Sequence, residues 1–219
     1  IHKSFGDNKV LKGIDATFER GKTSLIIGQS GSGKTVFLKS LLGLFQPEQG
    51  TISFDGSISK EMSDDQKRQL RQDMGMVFQG SALFDSLSVE ENIMFPIKMF
   101  ASQTRSEILD RVNTVLKRVN LENINAKFPA ELSGGMQKRV AIARAIVMNP
   151  KYLFCDEPNS GLDPQTAIVI DNLIIDITRE YGMTTVVVSH DMNSVIEASD
   201  TIHFIHEGEI AFEGDNHEM

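Results

Sequence analysis

The chain has one cysteine among its 219 residues, which rules out a disulfide within it. That thiol stands in the apolar run Tyr152-Leu153-Phe154-Cys155 and reads as a small buried hydrophobe, not as a nucleophile or ligand. No stretch approaches the roughly 18 apolar residues of a membrane span. The first residues show neither a charged n-region nor an apolar h-region, so a soluble, cytosolic chain is expected. His2, His203, His206 and His217 show no ligand spacing and read as ordinary surface or strand residues. Positive charge is also short. A net charge of −8 argues against a broad surface for a nucleic-acid backbone, and no nucleic-acid partner is expected. The chain begins at Ile1 without a methionine and stops soon after a Gly-Asp turn, so a few further residues are expected at each end.

What is present is enough for a substantial core: 40% of the residues are apolar, which suits a single α/β unit. Its organising stretch is Gly28-Gln29-Ser30-Gly31-Ser32-Gly33-Lys34-Thr35, a complete G-x-x-x-x-G-K-[ST] phosphate-binding loop. The apolar run Leu25-Ile26-Ile27 before it reads as a strand buried on both faces. After it, Val36, Phe37, Leu38, Leu41 and Leu42 recur at helical spacing up to Gly43. Glycines at this junction let successive N–H groups point into one concavity, and the helix N-terminus adds partial positive charge, so polyphosphate is the natural guest. Lys34 is expected to reach the β- and γ-phosphates and the Thr35 hydroxyl a magnesium ion.

Upstream, Lys3-Ser4-Phe5-Gly6 leads into the turn Asp7-Asn8-Lys9, and Ile14, Ala16 and Phe18 alternate as in a half-buried strand, which suggests an antiparallel lobe beside the loop. Phe5 could stack on a purine or belong to the lobe core; spacing leaves both open. Downstream, Thr51-Ile52-Ser53-Phe54 with Asp55-Gly56 reads as a strand and turn. Ser63 with Gln66 makes a capping box for a polar helix to Gln72, and the strand Met74-Gly75-Met76-Val77-Phe78 delivers Gln79.

Residues 82–128 change to helices. Ser88 with Glu91 caps one that Pro96 interrupts, and Thr104 with Glu107 caps another carrying Ile108, Val112, Val115, Leu116 and Val119 on one face. Leu132-Ser133-Gly134-Gly135-Met136-Gln137 then opens a helix that stops at Asn149-Pro150, a second device of the kind that holds phosphate. The apolar strand Tyr152–Cys155 ends in Asp156 and Glu157, followed by Pro158 and the turn Gly161-Leu162-Asp163-Pro164. Two carboxylates at the end of a buried strand sit where an open α/β sheet exposes its ligand site. A helix from Thr166 to Glu180 carries Val169, Ile170, Leu173, Ile174 and Ile177. The strand Thr184–Val188 then ends in Ser189-His190-Asp191, and a closing hairpin turns at Glu207-Gly208-Glu209.

In this order and spacing, the phosphate loop, the glutamine after a strand, the Leu-Ser-Gly-Gly helix start, the Asp-Glu strand end and the histidine after a strand resemble the ATP-binding-cassette (ABC) ATPases over essentially the whole chain. The resemblance implies an ABC ATPase fold: a P-loop NTPase core with a mainly parallel sheet, an antiparallel β lobe and a helical subdomain. One domain over residues 1–219 is expected, with a RecA-like core and β lobe in 1–81 and 150–219, and a helical subdomain with the signature helix in 82–149.

It further implies that Phe5 looks like the adenine-stacking residue, Gln79 the Q-loop glutamine, Leu132 to Gln137 the signature, Ser160 to Asp163 the D-loop and His190 the switch histidine. Nucleotide contacts are then expected from Phe5, Gly28, Gln29, Ser30, Gly31, Ser32, Gly33, Lys34, Thr35, Ser133, Gly134, Gly135 and Asp163. Magnesium contacts are expected from Thr35, Gln79 and Asp156. In this reading Glu157 polarises the attacking water, His190 senses the γ-phosphate, Lys34 neutralises charge, and Gln79 joins these three as a catalytic residue. Phe5 stands where Tyr is commoner, Met136 replaces Gln and Gly161 stands where Ala is frequent, yet no catalytic group is lost.

ATP and Mg2+ are the implied cofactors, and Ser133, Gly134 and Gly135 are expected to act in trans at an isologous dimer interface. The segment from Gln79 to Ile93, with Gly33 to Lys39, is similar to the ATPase subunit of Mla-type lipid-trafficking systems. That resemblance implies an integral membrane permease, a lipid-binding MCE protein and a peripheral place on the cytoplasmic side of a bacterial inner membrane. Importers of small polar solutes are the other transport reading. A soluble cassette acting on DNA or ribosomes is disfavoured by the acidic balance and by the lack of long coiled-coil heptads or a Cys-rich zinc insertion.

Overall fold

The structure, a computed structural model, describes residues 1–100, 103–190 and 199–215; Asp191 and His217, named above, lie outside these. Strand β3 (Thr23–Ile27) is buried at every position, as its unbroken apolar run demands. It sits inside a six-stranded sheet. From one edge the sheet runs through β6 (Met74–Val77), β7 (Tyr152–Asp156), β8 (Thr184–Val188), β3, β9 (Thr201–His206) and β10 (Glu209–Gly214). Every neighbouring pair is parallel except β9 with β10, which form the hairpin expected at Glu207-Gly208. The register levels the strand ends: Val77 lies opposite Cys155, Cys155 opposite Val187 and Val187 opposite Leu25. Whatever follows these four strands therefore emerges at one edge of the sheet.

Alternation along the strands divides the core into two layers. Leu25, Ile27, Val77, Leu153, Cys155 and Val187 join the buried faces of α3 (Val89–Phe100), α4 (Arg105–Arg118), α5 (Gly134–Ile146) and α6 (Pro164–Tyr181). Ile26, Phe154, Val186 and Val188 instead meet Phe37 and Leu38 of α1 (Lys34–Leu41), together with Leu11 from the antiparallel hairpin of β1 (His2–Phe5) and β2 (Asn8–Lys12). Each fully buried Leu or Ile in these layers contributes roughly 1.5–3 kcal/mol. Cys155 is fully buried and its thiol is pushed up by burial, as expected of a hydrophobe.

Local signals set the helix starts. Reciprocal side-chain and backbone bonds join Ser63 with Gln66 at α2 (Asp64–Gln72), Ser88 with Glu91 at α3 and Thr104 with Glu107 at α4. The strand expected over 51–54 shortens to β4 (Ser53–Phe54), paired with β5 (Ser57–Ile58) around Asp55 (φ 49°) and Gly56 (φ 80°).

Four expectations need correction. Ile14, Ala16 and Phe18 do alternate in burial, but 14–18 lies in no strand, because the chain turns at Gly13 (φ 109°) and packs these side chains on the α1 layer without a ladder partner. Pro96 does not interrupt α3; the helix runs through it, held by buried Ile93, Met94 and Ile97. Helix α6 begins at Pro164, not Thr166, since Asp163 caps it and proline is preorganised for the first turn. Val169 is not part of the buried stripe; it and Ile168 are each about half exposed.

Candidate functional site

The loops after β3, β6, β7 and β8 meet around a cavity of about 850 Å³, lined by Gly28 to Gly31, Gly33 to Val36, Gln79, Glu157 and His190, with Val10 and Phe204 on its walls. Glycine is required at two bends of the phosphate loop. A Cβ on Gly28 would stand 2.2 Å from the carbonyl oxygen of Ile205, and one on Gly33 would meet Leu11 at 2.9 Å. A Cβ on Gly31 would meet nothing within 4 Å. Lys34 folds back over its own loop, donating to the carbonyls of Gly28 at 2.7 Å and Gln29 at 2.9 Å. Burial pulls its pKa down, and the charges of Glu157 and Asp156 oppose that pull. The Ser32 hydroxyl is buried without a hydrogen-bond partner. A polyphosphate fits this cradle: it supplies the acceptors that Lys34 now takes from main-chain carbonyls and a partner for Ser32.

Opposite the cradle, β7 ends in Asp156, and Glu157 follows it. Asp156 is pushed up, first by burial and next by the adjacent Glu157 charge, against the pull of Lys39 and Lys34. Glu157 holds a positive φ of 47°, which costs a non-glycine residue of order 1–3 kcal/mol, and its N–H donates to the Val188 carbonyl at 2.8 Å. That twist turns its carboxylate between two neighbours. Gln79 Nε2 donates to Oε2 at 2.7 Å, and His190 Nδ1 lies 2.9 Å from Oε1. Three residues from three separate loops thus touch.

Magnesium also fits. Among the described residues no group of three His, Cys, Asp or Glu could hold a metal by itself. Thr35 and Asp156 offer hard oxygens, and Gln79 keeps its Oε1 as an acceptor while its amide nitrogen serves Glu157, so these three would suit a cation that prefers oxygen ligands.

The structure does not bring every candidate to this cavity. Ser133 is the N-cap of α5, accepting from Met136 N–H, and Gly134 and Gly135 begin that helix; none of the three lines the cavity. A Cβ on Gly135 would lie 2.7 Å from Thr166 Cγ2, so this glycine is also needed for α5 to approach α6. Asp163 is likewise outside the lining and caps α6, accepting from Thr166 N–H at 3.0 Å and Thr166 Oγ1 at 2.6 Å, which holds its carboxyl below the usual range. Phe5 is 45% exposed and meets Phe45 edge-on at 5.2 Å, on the same hairpin whose other strand sends Val10 to the cavity wall. Val10, Phe204 and Lys138 were not legible as site residues. Lys138 is a buried cation of α5 that donates to the Gln79 carbonyl, and its one sequence signal was its place just after the Ser-Gly-Gly helix start.

With this geometry in place, comparisons give the family. The sequence model of the family described as "ABC transporter" matches residues 11–160. Over 193 residues the chain is 41% identical to the "Probable ribonucleotide transport ATP-binding protein mkl" of Mycobacterium bovis, a match covering 88% of this chain and 54% of that protein. It is 40% identical to the "Methionine import ATP-binding protein MetN" of Clostridium tetani, covering 94% of this chain and 64% of the relative. The chain thus spans between about half and two thirds of the length of these curated relatives. Among solved structures, cbiO1 from Clostridium perfringens, described as part of the ABC transporter complex cbiONQ, superposes with a TM-score of 0.91 at 33% identity, covering 99% of this chain and 86% of that one. The ATP-binding cassette MJ0796, described as a dimer in a post-hydrolysis state bound to ADP and Pi, gives 0.86 at 32% identity, covering 98% and 95%.

Proposed function

The chain belongs to the ABC transporter family, and from that premise we propose that it is the unit that binds and hydrolyses ATP to drive a transporter. One observation carries this reading: Gln79, Glu157 and His190 converge beside the loop that holds Lys34. When nucleotide enters, Lys34 exchanges the Gly28 and Gln29 carbonyls for β- and γ-phosphate oxygens. Thr35 and Asp156, with the Gln79 Oε1, would hold Mg2+, which would supply positive charge to the phosphate oxygens. Glu157 polarises water; the new bond joins that water oxygen to the γ-phosphorus, the bond from γ-phosphorus to the β–γ bridging oxygen breaks, and Glu157 accepts the proton. Both carboxylate oxygens of Glu157 are engaged here, so turnover requires Gln79 or His190 to leave it for the γ-phosphate.

Phosphate release by the purified full-length protein should depend on ATP and Mg2+. Glu157→Gln should keep nucleotide binding, accumulate as a nucleotide-bound dimer and release phosphate about 10²–10⁴-fold more slowly. Release at the wild-type rate would remove Glu157 from the role of base.

The finer reading has three parts. The described residues form one cassette, with core and β lobe in 1–81 and 150–219 and a helical subdomain in 82–149. Two copies pair so that Ser133, Gly134, Gly135 and Asp163 of each cover nucleotide held by the other. The pair sits peripherally on the cytoplasmic side of an inner membrane, bound to an integral permease; among the described residues no helix is long and apolar enough to span a membrane itself.

A groove of about 390 Å³ between β6 and α3 supports the permease contact; it includes Met74, Met76, Phe78, Phe84, Phe95 and Met148. Phe78, Phe84 and Phe95 remain 39–43% exposed, with the Phe84 and Phe95 rings 4.8 Å apart. Adaptable Met and Phe surfaces suit an amphipathic helix. For cargo, the Mla-like stretch from Gln79 to Ile93 supports phospholipid trafficking with an MCE-type protein in the complex. The likeness to a methionine import protein supports the second reading, an importer of small polar solutes.

A further inference from the structure

Helix α5 sends two buried cations into the loop after β6. Lys138, 5% exposed, donates to the main-chain carbonyl of Gln79. Arg144, 9% exposed, donates to the carbonyls of Ser81 at 2.8 Å and Ala82 at 2.7 Å. Ser81 (φ 62°) and Ala82 (φ 47°) lie in the left-handed region, which residues other than glycine enter only under constraint. The Arg144 fork closing on these two carbonyls is accounted for by anchoring that turn.

Lys138 asks for more. An ammonium taken out of water to meet one carbonyl is a costly way to hold a loop, because a neutral amide would donate to the same oxygen with less desolvation. Burial pulls the Lys138 pKa down, and the charge on Glu157 opposes that pull. That carboxylate is the one to which Gln79 Nε2 donates at 2.7 Å. Lys138, the Gln79 backbone, the Gln79 amide and the Glu157 carboxylate therefore form one continuous line from α5 to the residue that faces water.

We propose that Lys138 is a positioning residue for hydrolysis: by holding the Gln79 main chain it sets the Gln79 amide against Glu157 and ties both to the helix that begins at Ser133-Gly134-Gly135. The inference rests on the ATPase reading above and deepens it. Displacement of α5, as its N-terminus engages nucleotide on a second copy, moves Gln79 and so re-aims Glu157 in the chain's own site. Lys138 thereby links the two sites of a pair.

The test compares Lys138→Met, which keeps the apolar stem and removes the donor, with Lys138→Arg in the purified full-length protein. Lys138→Met should bind a fluorescent ATP analogue within about twofold of wild type and melt within about 2 °C of it, with kcat at least about tenfold lower and KM little changed. Lys138→Arg should recover most of kcat. Wild-type kcat in Lys138→Met overturns the proposal. So does a parallel loss of kcat, nucleotide affinity and melting temperature that Lys138→Arg does not rescue, since that marks a purely structural role. If Lys138→Met does not fold, the same split is read in Lys138→Leu, which also removes the donor; an unchanged kcat there overturns the proposal equally. A wild-type protein without Mg2+-dependent turnover removes the ATPase reading and this inference with it. Wild-type turnover beside an unaffected variant removes the inference alone.

Discussion

A methyl group on Gly135 would stand 2.7 Å from Cγ2 of Thr166, so α5 and α6 come together there because residue 135 has no side chain. Thr166 is not able to swing clear, since its hydroxyl and its N–H are both held by Asp163. Gly135→Ala should therefore cost about 1–3 kcal/mol through overpacking. For a chain of this size that is a fall of several degrees in melting temperature without nucleotide, at about 2–4 °C per kcal/mol. Calorimetry of the free protein checks it. An unchanged melting temperature with lost turnover would make the glycine a nucleotide contact alone.

Asp156 trades stability for a cation. Its folded pKa is raised by burial and by Glu157, so the penalty on its ionised form is absent below the unfolded pKa and grows as pH rises through the folded one. Asp156→Asn should raise the melting temperature of the nucleotide-free protein by about 2–4 °C, on the order of 1 kcal/mol after discounting for partial exposure. The same variant should lose the extra stabilisation that Mg2+ adds to ATP. Thermal scans at pH 7 with EDTA and with Mg2+ and ATP read both effects, and a less stable EDTA sample would contradict the sign.

Ser133 and Lys34 are predicted to serve one nucleotide from two copies. Ser133→Arg should abolish hydrolysis yet leave nucleotide binding by the monomer nearly intact, because Ser133 does not line its own chain's cavity. Lys34→Ala should weaken binding itself by removing a charge-assisted contact. Mixing the two proteins makes heterodimers with one doubly defective site and one sound site, so phosphate release should return. Proven heterodimers that stay inactive at every mixing ratio would count against independent composite sites.

The groove between β6 and α3 is predicted to receive a cytoplasmic helix of the permease. Cysteines at Phe84, Phe95 and Met99, each 39–58% exposed, should crosslink to cysteines in the permease's cytoplasmic loops within the assembled complex. Crosslinks confined to the hairpin of 202–212 would place the docking surface elsewhere.

Much of the fold was legible because its signals act over three or four residues. The capping boxes at Ser63 and Thr104 formed where residue type alone put them, while α5 stops at Ile146, short of the Asn149-Pro150 stop expected for it. Alternation was a weaker guide. Ile14, Ala16 and Phe18 bury one side as a strand would, but a ladder also needs a neighbouring backbone, which no local pattern supplies. Val169 sits at helical spacing with Leu173 and still faces outward, since a stripe has no fixed width until a partner packs against it.

By itself the sequence determined the phosphate loop, because a glycine-bounded turn between a buried strand and a helix leaves its amides few other directions. It also marked Gln79, Glu157 and His190 as loop residues after strands. Only the tertiary structure decided that these three touch, because their meeting depends on parallel strands whose register levels Val77, Cys155 and Val187, residues brought together from distant parts of the chain. The same long-range packing set Lys138 of α5 beneath Gln79. A lysine three residues after a glycine pair has no local rule that would bury it; the α5 packing against β6 and its loop took its ammonium out of water and gave it a carbonyl to hold.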